Sequence, residues 1–237
     1  DWTNKHGGII LNQLKKIGCS CDWSRTKFTL DKDMYESVQN IFLKLYDDGY
    51  LYRDKKIVNW DPEAKTTLSN EEVIYKEKTA KLFYLKYKLE SSEEFILVAT
   101  TRPETIFGDT AVAVNPNDKR YKKLVGKKLI VPLVNRVVPI IGDKSVDSEF
   151  GTGCLKVTPA HSEKDFEIGI RNNLDIIDIF NDDASLNGYG LHYKSLDRFA
   201  VRKKIINELD EKGLLDKAED YTHNIALSER TSCVVEP

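Results

Sequence analysis

The chain has 237 residues, of which 41% are hydrophobic and 31% charged, as is typical of a globular protein large enough to bury a substantial core. Its formal net charge of −2 excludes a general electrostatic attraction to nucleic acid, so any RNA contact must be local. No apolar run could span a membrane, and the four cysteines fit neither a disulfide framework nor the usual zinc spacing. We therefore expect reduced thiols, no membrane partner and a cytoplasmic location. Because the first residue is Asp rather than Met, we also expect a piece of a longer protein.

Residues 1–60 are predicted to form a helical flanking segment that ends in an entry strand. A short amphipathic helix covers residues 8–17, and a second begins at Asp31 or Asp33 and runs to Asp48. In the second helix, apolar residues recur at spacings of three and four, which predicts ordinary core packing. These are Tyr35, Val38, Phe42 and Leu45.

The pattern then changes to short strands at close intervals, which predicts a closed or nearly closed barrel over residues 61–222. Residues 66–70 are expected to be a polar connection, and residues 195–212 a long late helix. Residues 223–237 are predicted to form an exit strand that pairs with the entry strand at 57–60. The fold class is therefore α+β, a barrel-like domain with peripheral helices. The predicted barrel strands are 82–89, 95–101, 111–114, 129–131, 137–141, 154–157 and 176–180.

Residues 150–166 hold the densest group of reactive side chains in the sequence. Gly151 and Gly153 permit positive φ before a short strand, on which Lys156 and Thr158 should share one face. Ser162 and Asp165 have the spacing of a capping box, which indicates that a helix begins there. The alternative for each residue is structural: Lys156 as a surface lysine, His161 as a polar residue outside the helix, and Asp165 as a cap.

A second polar turn follows the strand that ends in Thr100 and Thr101. Arg102, before a proline, suits recognition of phosphate or carboxylate, although a salt bridge to Glu104 is the structural alternative. Glu104 also has capping-box spacing from Thr101 and could merely close a short helical turn.

These two stretches together resemble the editing domain that is inserted in class I aminoacyl-tRNA synthetases. The matching motifs are Ala-Thr-Thr-Arg-Pro-Glu-Thr at 99–105 and Gly-Thr-Gly-Cys-Leu-Lys-Val-Thr-Pro-Ala-His at 151–161, followed by Asp165-Phe166. Within the family, the match is closest to the valine-specific enzymes, and it extends to residues 18–25, 28–29, 58–62, 179–182, 228–230 and 234–237. Neither of the family's two ATP-binding motifs is found, so amino-acid activation is not expected in this chain.

The resemblance implies hydrolysis of the ester that joins threonine to the 3′ end of the valine tRNA, with threonyl-adenylate as a second candidate substrate. A pocket shaped for valine rejects threonine poorly, and the valine enzymes are the usual example of this problem. The implied catalytic group is Lys156, Thr158, His161 and Asp165, with Asp165 on the substrate's α-ammonium and a positioned water as nucleophile. The implied substrate-binding group is Thr100, Thr101, Arg102, Glu104, Thr105 and Phe150.

The resemblance implies no metal and no cofactor in this chain, since ATP and Mg²⁺ belong to the catalytic part of such enzymes. The partners that it implies are the tRNA end and the rest of the synthetase. One departure is Ser162, which stands where many valine enzymes carry an aspartate. Two alternatives stay open: a tRNA-end binding module without catalysis, and an editing domain of the leucine or isoleucine type.

Overall fold

The computed structural model describes the backbone of residues 1–237 and every side chain except that of Asn4. The chain divides into two compact units, residues 1–55 and residues 56–237. Among the residues described, no helix combines the length and the apolar content that crossing a membrane requires.

The first unit consists of three helices, α1 (Trp2–His6), α2 (Ile9–Lys16) and α3 (Lys32–Asp47). The helices α2 and α3 confirm the two predicted ones to within a residue or two at each end. The core packing predicted for α3 is wrong within this unit, because its apolar side chains are largely exposed. Val38 is 64% exposed and Phe42 is 57% exposed.

The second unit is built on nine strands, to which two helices are added, α4 (Glu163–Arg171) and α5 (Arg198–Glu211). The nine strands are β1 (Asn59–Asp61), β2 (Thr66–Leu68), β3 (Val73–Leu89), β4 (Phe95–Thr100), β5 (Ala111–Val114), β6 (Lys128–Ile130), β7 (Val137–Gly142), β8 (Cys154–Val157) and β9 (Leu215–Ser228). The α+β fold class is confirmed.

Seven of the strands form one curled sheet, a half-barrel, in the order β4-β3-β6-β7-β5-β8, and β9 pairs with β3 off this path. The pairs are antiparallel apart from β5 with β7. The two ends of this path, β4 and β8, come into contact with each other. Their last residues carry the two motifs identified in the sequence, so curling of the sheet brings the motifs together.

The core lies inside the curl, and its side chains follow the strand alternation. Leu85 and Tyr87 are fully buried on β3, and Ile205 and Leu209 cover the interior from α5. On the other side of β5, Ile168 of α4 packs in a separate small cluster with Val157. This packing fixes α4 against the end of β8.

Three details of the predicted secondary structure are wrong. Residues 176–180 form no strand, because the main-chain N–H of Ile179 donates to a histidine side chain rather than to a neighbouring strand. Residues 66–68 are strand β2, paired with β1, rather than a connection. The late helix begins at Arg198, not at residue 195, since the Asp197 side chain caps the N–H groups of Phe199 and Ala200.

The long strand β9 was not predicted, and it pairs with β3 from Val73 to Leu85 as an extended two-stranded arm. Residues 223–228 belong to this arm, not to an exit strand. Further along, Trp60 and Glu236 form an antiparallel bridge, with N–H···O distances of 2.7 and 3.0 Å.

Candidate functional site

A cavity of about 310 Å³ opens where β4 and β8 meet. The main chain turns tightly beside it, with positive φ at Gly151 (+59°) and Gly153 (+77°), as predicted. Nine of the ten residues singled out in the sequence line this cavity: Thr100, Thr101, Arg102, Thr105, Phe150, Lys156, Thr158, His161 and Asp165. The tenth, Glu104, lies behind the wall.

Asp165 lies in the first turn of α4, where Ser162 is the N-cap and its hydroxyl accepts from the Asp165 N–H at 3.3 Å. The second hydrogen bond of a capping box, from the Ser162 main-chain N–H to the Asp165 side chain, is absent among the described contacts. Instead, the Asp165 carboxylate accepts from the Thr158 main-chain N–H through Oδ2 at 2.9 Å. Burial raises the pKa of Asp165, and the charge of Lys156 opposes that rise. The side chain is therefore held at the cavity wall with Oδ1 free of any hydrogen bond within the described residues.

Behind Asp165, a fully buried carboxylate, Asp109, organises the polar wall of the cavity. Its Oδ1 accepts from Lys156 at 3.1 Å and from the Thr158 hydroxyl at 2.7 Å, and its Oδ2 accepts from the Tyr87 hydroxyl at 2.6 Å. Burial and the neighbouring Asp109 charge raise the pKa of Tyr87. The carboxylate is thus paired with the Lys156 ammonium as a buried ion pair requires.

All three protons of the Lys156 ammonium are used inside the protein, because it also donates to Thr105 Oγ1 (2.7 Å) and to Thr158 Oγ1. Thr158 donates to Asp109, and Thr105 donates to the main-chain oxygen of Arg102 at 3.0 Å. Each of these two hydroxyl groups therefore donates its proton to a protein oxygen and accepts one hydrogen bond from Lys156. What they retain toward the cavity is acceptor capacity, so the wall is suited to receive a donor from a ligand.

Arg102 is tied into a network of ion pairs beneath the cavity. Its Nε donates to Glu104 at 3.1 Å, its Nη2 to Glu236 at 2.6 Å and its Nη1 to the His161 main-chain oxygen at 3.3 Å. The salt bridge considered as the structural alternative is therefore present. The side chain is still 28% exposed and reaches the cavity, so its remaining N–H groups are open to a ligand.

Glu104 was expected to contact substrate, and its burial excludes that. The carboxylate is 0% exposed and also accepts from Arg202, through Nε at 2.8 Å and Nη2 at 2.7 Å. Although burial acts to raise the pKa of Glu104, Arg102 and Arg202 lower it below its usual range. Its function is to hold the two arginines.

His161 is buried and neutral. Burial, together with the charges of Arg102 and Lys156, lowers its pKa to about 3. Its Nε2 accepts from the Ile179 N–H at 3.1 Å, so the proton of the neutral ring is on Nδ1, which has no hydrogen-bond partner among the described residues. A role as general base would need the Ile179 bond to break. The geometry favours a structural role, in which His161 positions the main chain at Ile179.

The aromatic rim of the cavity consists of Phe150, from the turn before β8, and of two residues of β9. Phe150 is 49% exposed and meets the ring of Tyr221 edge-on at a centroid distance of 5.9 Å. Tyr221 stacks on His223 at 5.6 Å, and both belong to β9. Thr100 Oγ1 accepts from the Arg102 N–H at 3.0 Å, so it shapes the turn that carries the arginine.

Three residues of the site were missed in the sequence: Asp109, Tyr221 and Glu236. An aspartate directly after a glycine, before an apolar run, was the available signal for Asp109. No local pattern indicates the other two, because the long pairing of β3 with β9 brings Tyr221 to the cavity and the return of the chain end brings Glu236 to Arg102. No group of three metal-ligating side chains is present in the described part of the chain.

Comparison with known proteins identifies relatives along the whole chain. The family model for class I tRNA synthetases (I, L, M and V) matches residues 1–224. Valine--tRNA ligases from Christiangramia forsetii and Thermotoga maritima are 60% and 52% identical over 237 residues, which is 100% of this chain and 27% of each relative. The chain thus spans about a quarter of the length of these curated relatives.

Among solved structures, a ternary complex of Agrobacterium radiobacter K84 agnB2 LeuRS with tRNA and LeuAMS gives a TM-score of 0.48 at 19% identity. That match covers 94% of this chain and 36% of the other. The family model covers well over half of the chain. The chain therefore belongs to the class I tRNA synthetases of the isoleucine, leucine, methionine and valine group, in which its matched relatives are valine--tRNA ligases.

Proposed function

We propose that this chain is the hydrolytic editing domain of a valine--tRNA ligase, which cleaves threonine from the 3′ end of mischarged valine tRNA. Threonyl-adenylate is a second substrate of the same cavity. The rest of the synthetase, which supplies ATP and Mg²⁺ chemistry, delivers the tRNA end, and the protein works in the cytoplasm.

The observation that carries the proposal is the shared wall formed by Asp165, Thr158 and Thr105 at the cavity. Asp165 keeps one carboxylate oxygen for a cation, and the α-ammonium of an aminoacyl ester is such a cation. The two hydroxyl groups keep acceptor capacity for a donor, and the β-hydroxyl of threonine is such a donor. A ligand with both groups gives Asp165 its cation and gives one of the two hydroxyl acceptors a donor.

The same wall accounts for selectivity. Valine has nearly the shape of threonine but carries a methyl group in place of the hydroxyl. Its ester would leave unpaired the buried acceptor that the threonine hydroxyl satisfies, and an unpaired buried polar group costs roughly 1–3 kcal/mol. Correctly charged tRNA is thereby bound less well than mischarged tRNA.

Hydrolysis in this site proceeds by attack of a positioned water on the ester carbonyl. Lys156 has its protons committed to protein oxygens, and His161 has its free lone pair committed to Ile179. Neither is available as a nucleophile or base without rearrangement. Catalysis therefore comes from orientation of the ester and the water and from electrostatic stabilisation, with a substrate hydroxyl assisting the proton transfer.

The test is deacylation of threonine-charged and valine-charged valine tRNA by the chain, with the ester bond followed by release of labelled amino acid. Faster loss of threonine than of valine supports the proposal. Tight binding of the tRNA end without hydrolysis would instead identify a binding module, and preferential release of another amino acid would identify a different editing specificity.

A further inference from the structure

Glu236, near the end of the chain, is a buried carboxylate that bridges two arginines. It is 6% exposed. Its Oε2 accepts from Arg102 Nη2 at 2.6 Å, and its Oε1 accepts from Arg198 Nη1 at 2.5 Å. The function proposed above gives no role to Glu236, although the carboxylate lies directly against a substrate-binding side chain.

The position of Glu236 is fixed by the segments on either side of it. Its main chain forms the antiparallel bridge with Trp60, and the preceding residue, Val235, donates to the main-chain oxygen of Ala226 in β9 at 2.9 Å. Arg198 is fixed as well, since it is 3% exposed and its Nη2 donates to a main-chain oxygen of the same segment at 2.6 Å. The carboxylate is therefore a rigid point against which another side chain can be oriented.

Glu236 accepts the shortest of the three hydrogen bonds that hold the Arg102 guanidinium. The other two run from Nε to Glu104 at 3.1 Å and from Nη1 to the His161 main-chain oxygen at 3.3 Å. A guanidinium held at Nε alone can turn about that bond, and 3.3 Å is long for an N–H···O hydrogen bond. The contact with Glu236 therefore sets the plane of the guanidinium, and with it the direction of the N–H groups that remain for a ligand.

Glu104 cannot replace Glu236 in this role. Both of its oxygens also accept from Arg202, at 2.8 and 2.7 Å. In this buried network, three arginines share the two carboxylates of Glu104 and Glu236. Loss of Glu236 would leave Arg102 to share the single remaining carboxylate with Arg202.

We propose that Glu236 is the positioning residue of Arg102: it acts on the substrate only by holding the guanidinium in the orientation that binds the tRNA end. This inference rests on the proposed function, with Arg102 as a substrate-binding side chain. Arg102 binds the ester equally in the ground state and in the transition state. Loss of its orientation should therefore raise KM and leave kcat unchanged.

The test is the KM and kcat of Glu236→Gln for release of threonine from mischarged valine tRNA. The amide has one acceptor oxygen for two arginines, and Arg198, the more buried of the two, retains it. KM should rise about tenfold, the loss expected from one charge-assisted hydrogen bond, with kcat within about twofold of wild type. The affinity for valine tRNA that carries threonine through an amide in place of the ester should fall by the same factor.

Glu208→Gln is the matched control. Glu208 of α5 also bridges two donors, Tyr193 at 2.6 Å and Lys212 at 2.7 Å, but it does not line the cavity. This variant should keep the wild-type KM. An unchanged KM in Glu236→Gln would overturn the proposal. A lower kcat at unchanged KM would also overturn it, because that result indicates a role in the chemical step or in folding.

A double-mutant cycle with Arg102→Met keeps the proposal testable if Glu236→Gln folds poorly. The double variant has less unpaired positive charge than Glu236→Gln alone, and the side chain that Glu236 orients is gone. Glu236→Gln should then neither raise KM nor weaken binding of the amide-linked tRNA any further. Additive effects would mean that Glu236 acts by another route, and would overturn the proposal.

The two proposals fail separately in this experiment. If the wild-type chain released no threonine, the editing function would be contradicted. Binding of the amide-linked tRNA by wild type, both single variants and the double variant would still test the role of Glu236.

Discussion

Asp109 accepts the hydroxyl proton of Thr158 at 2.7 Å, and this bond decides that Thr158 faces the cavity as a hydrogen-bond acceptor. Asp109 also neutralises Lys156, whose ammonium is buried beside it. The proposed recognition of threonine thus depends on a carboxylate that has no exposed surface.

Asp109→Asn should therefore impair both stability and hydrolysis. The substitution leaves the Lys156 ammonium buried without a counter-charge, which costs about 3–5 kcal/mol in the free energy of unfolding. Urea denaturation measures this loss. The control Tyr87→Phe removes only the bond to the other carboxylate oxygen and should cost about 1 kcal/mol.

A double variant tests whether the unpaired charge of Lys156 causes this loss of stability. In the double variant Asp109→Asn with Lys156→Met, the unpaired ammonium is gone, so most of the lost stability should return while hydrolysis stays low. If Asp109→Asn were as stable as Tyr87→Phe, the ion pair would not be what holds the wall.

Glu104→Gln should destabilise the fold, because two arginines lose their buried counter-charge. A decrease of about 2–4 kcal/mol in the free energy of unfolding is expected. Glu72→Gln is the matched control, since Glu72 pairs with Arg230 at the surface, and it should leave the urea midpoint essentially unchanged. Equal effects of the two substitutions would show that the burial of Glu104 does not increase its contribution to the free energy of unfolding.

Because His161 is protonated more readily in the unfolded chain, the free energy of unfolding should fall at mildly acidic pH. Its pKa is about 3 in the folded protein and about 6.5 when unfolded, so the unfolded chain binds the proton more tightly. The contribution of His161 is complete above about pH 6.5 and declines as the pH falls toward 3, by up to about 1.4 kcal/mol per pH unit. Urea unfolding at several pH values, with His161→Gln for comparison, measures this term. A wild-type profile parallel to that of the variant would contradict it.

Gly108→Ala should displace Thr158, which forms part of the polar wall of the cavity. A Cβ at this position would come within 2.9 Å of the Thr158 methyl carbon and of the Ile177 main-chain oxygen. We expect reduced hydrolysis and a lower melting temperature. In Gly188→Ala, the added carbon meets no atom within 4 Å, so both quantities should stay close to wild type.

The sequence predicts the strand ends and the helix start of the site because these are local events. The alternation of Lys156 and Thr158, the Ser162 cap and the positive φ of Gly153 each depend on a few adjacent residues. Curling of the sheet then brings the two motifs together, which explains why nine of the ten expected residues share one cavity.

Long-range pairing accounts for what the sequence does not reveal. The sequence of strand β9 is mostly polar, so it lacks the apolar alternation typical of a half-buried strand, and its partner Val73–Leu85 lies more than a hundred residues away. Glu104 has the spacing of a helix cap, and only the fold shows that Arg202 of α5 binds it. The role of a charged residue in such a network cannot be read from its neighbours in sequence.

The proposed function depends on Asp165 as the partner of the substrate's α-ammonium. Because burial raises the pKa of Asp165, the stability it contributes is present at low pH and lost as the pH rises through that pKa. At neutral pH the buried charge of Asp165 lowers the free energy of unfolding, so Asp165→Asn should be at least as stable as wild type. The amide oxygen can still accept from the Thr158 N–H. Any loss of activity is then separate from unfolding.

The most direct test is the rate of threonine release from mischarged valine tRNA by the wild-type chain and by Asp165→Asn, beside the rate of valine release. We predict that wild type releases threonine much faster than valine. We also predict that the variant loses at least about thirtyfold in kcat/KM for threonine, the effect of removing one partner of a desolvated charge pair. Undiminished threonine release by a folded Asp165→Asn variant would contradict the account.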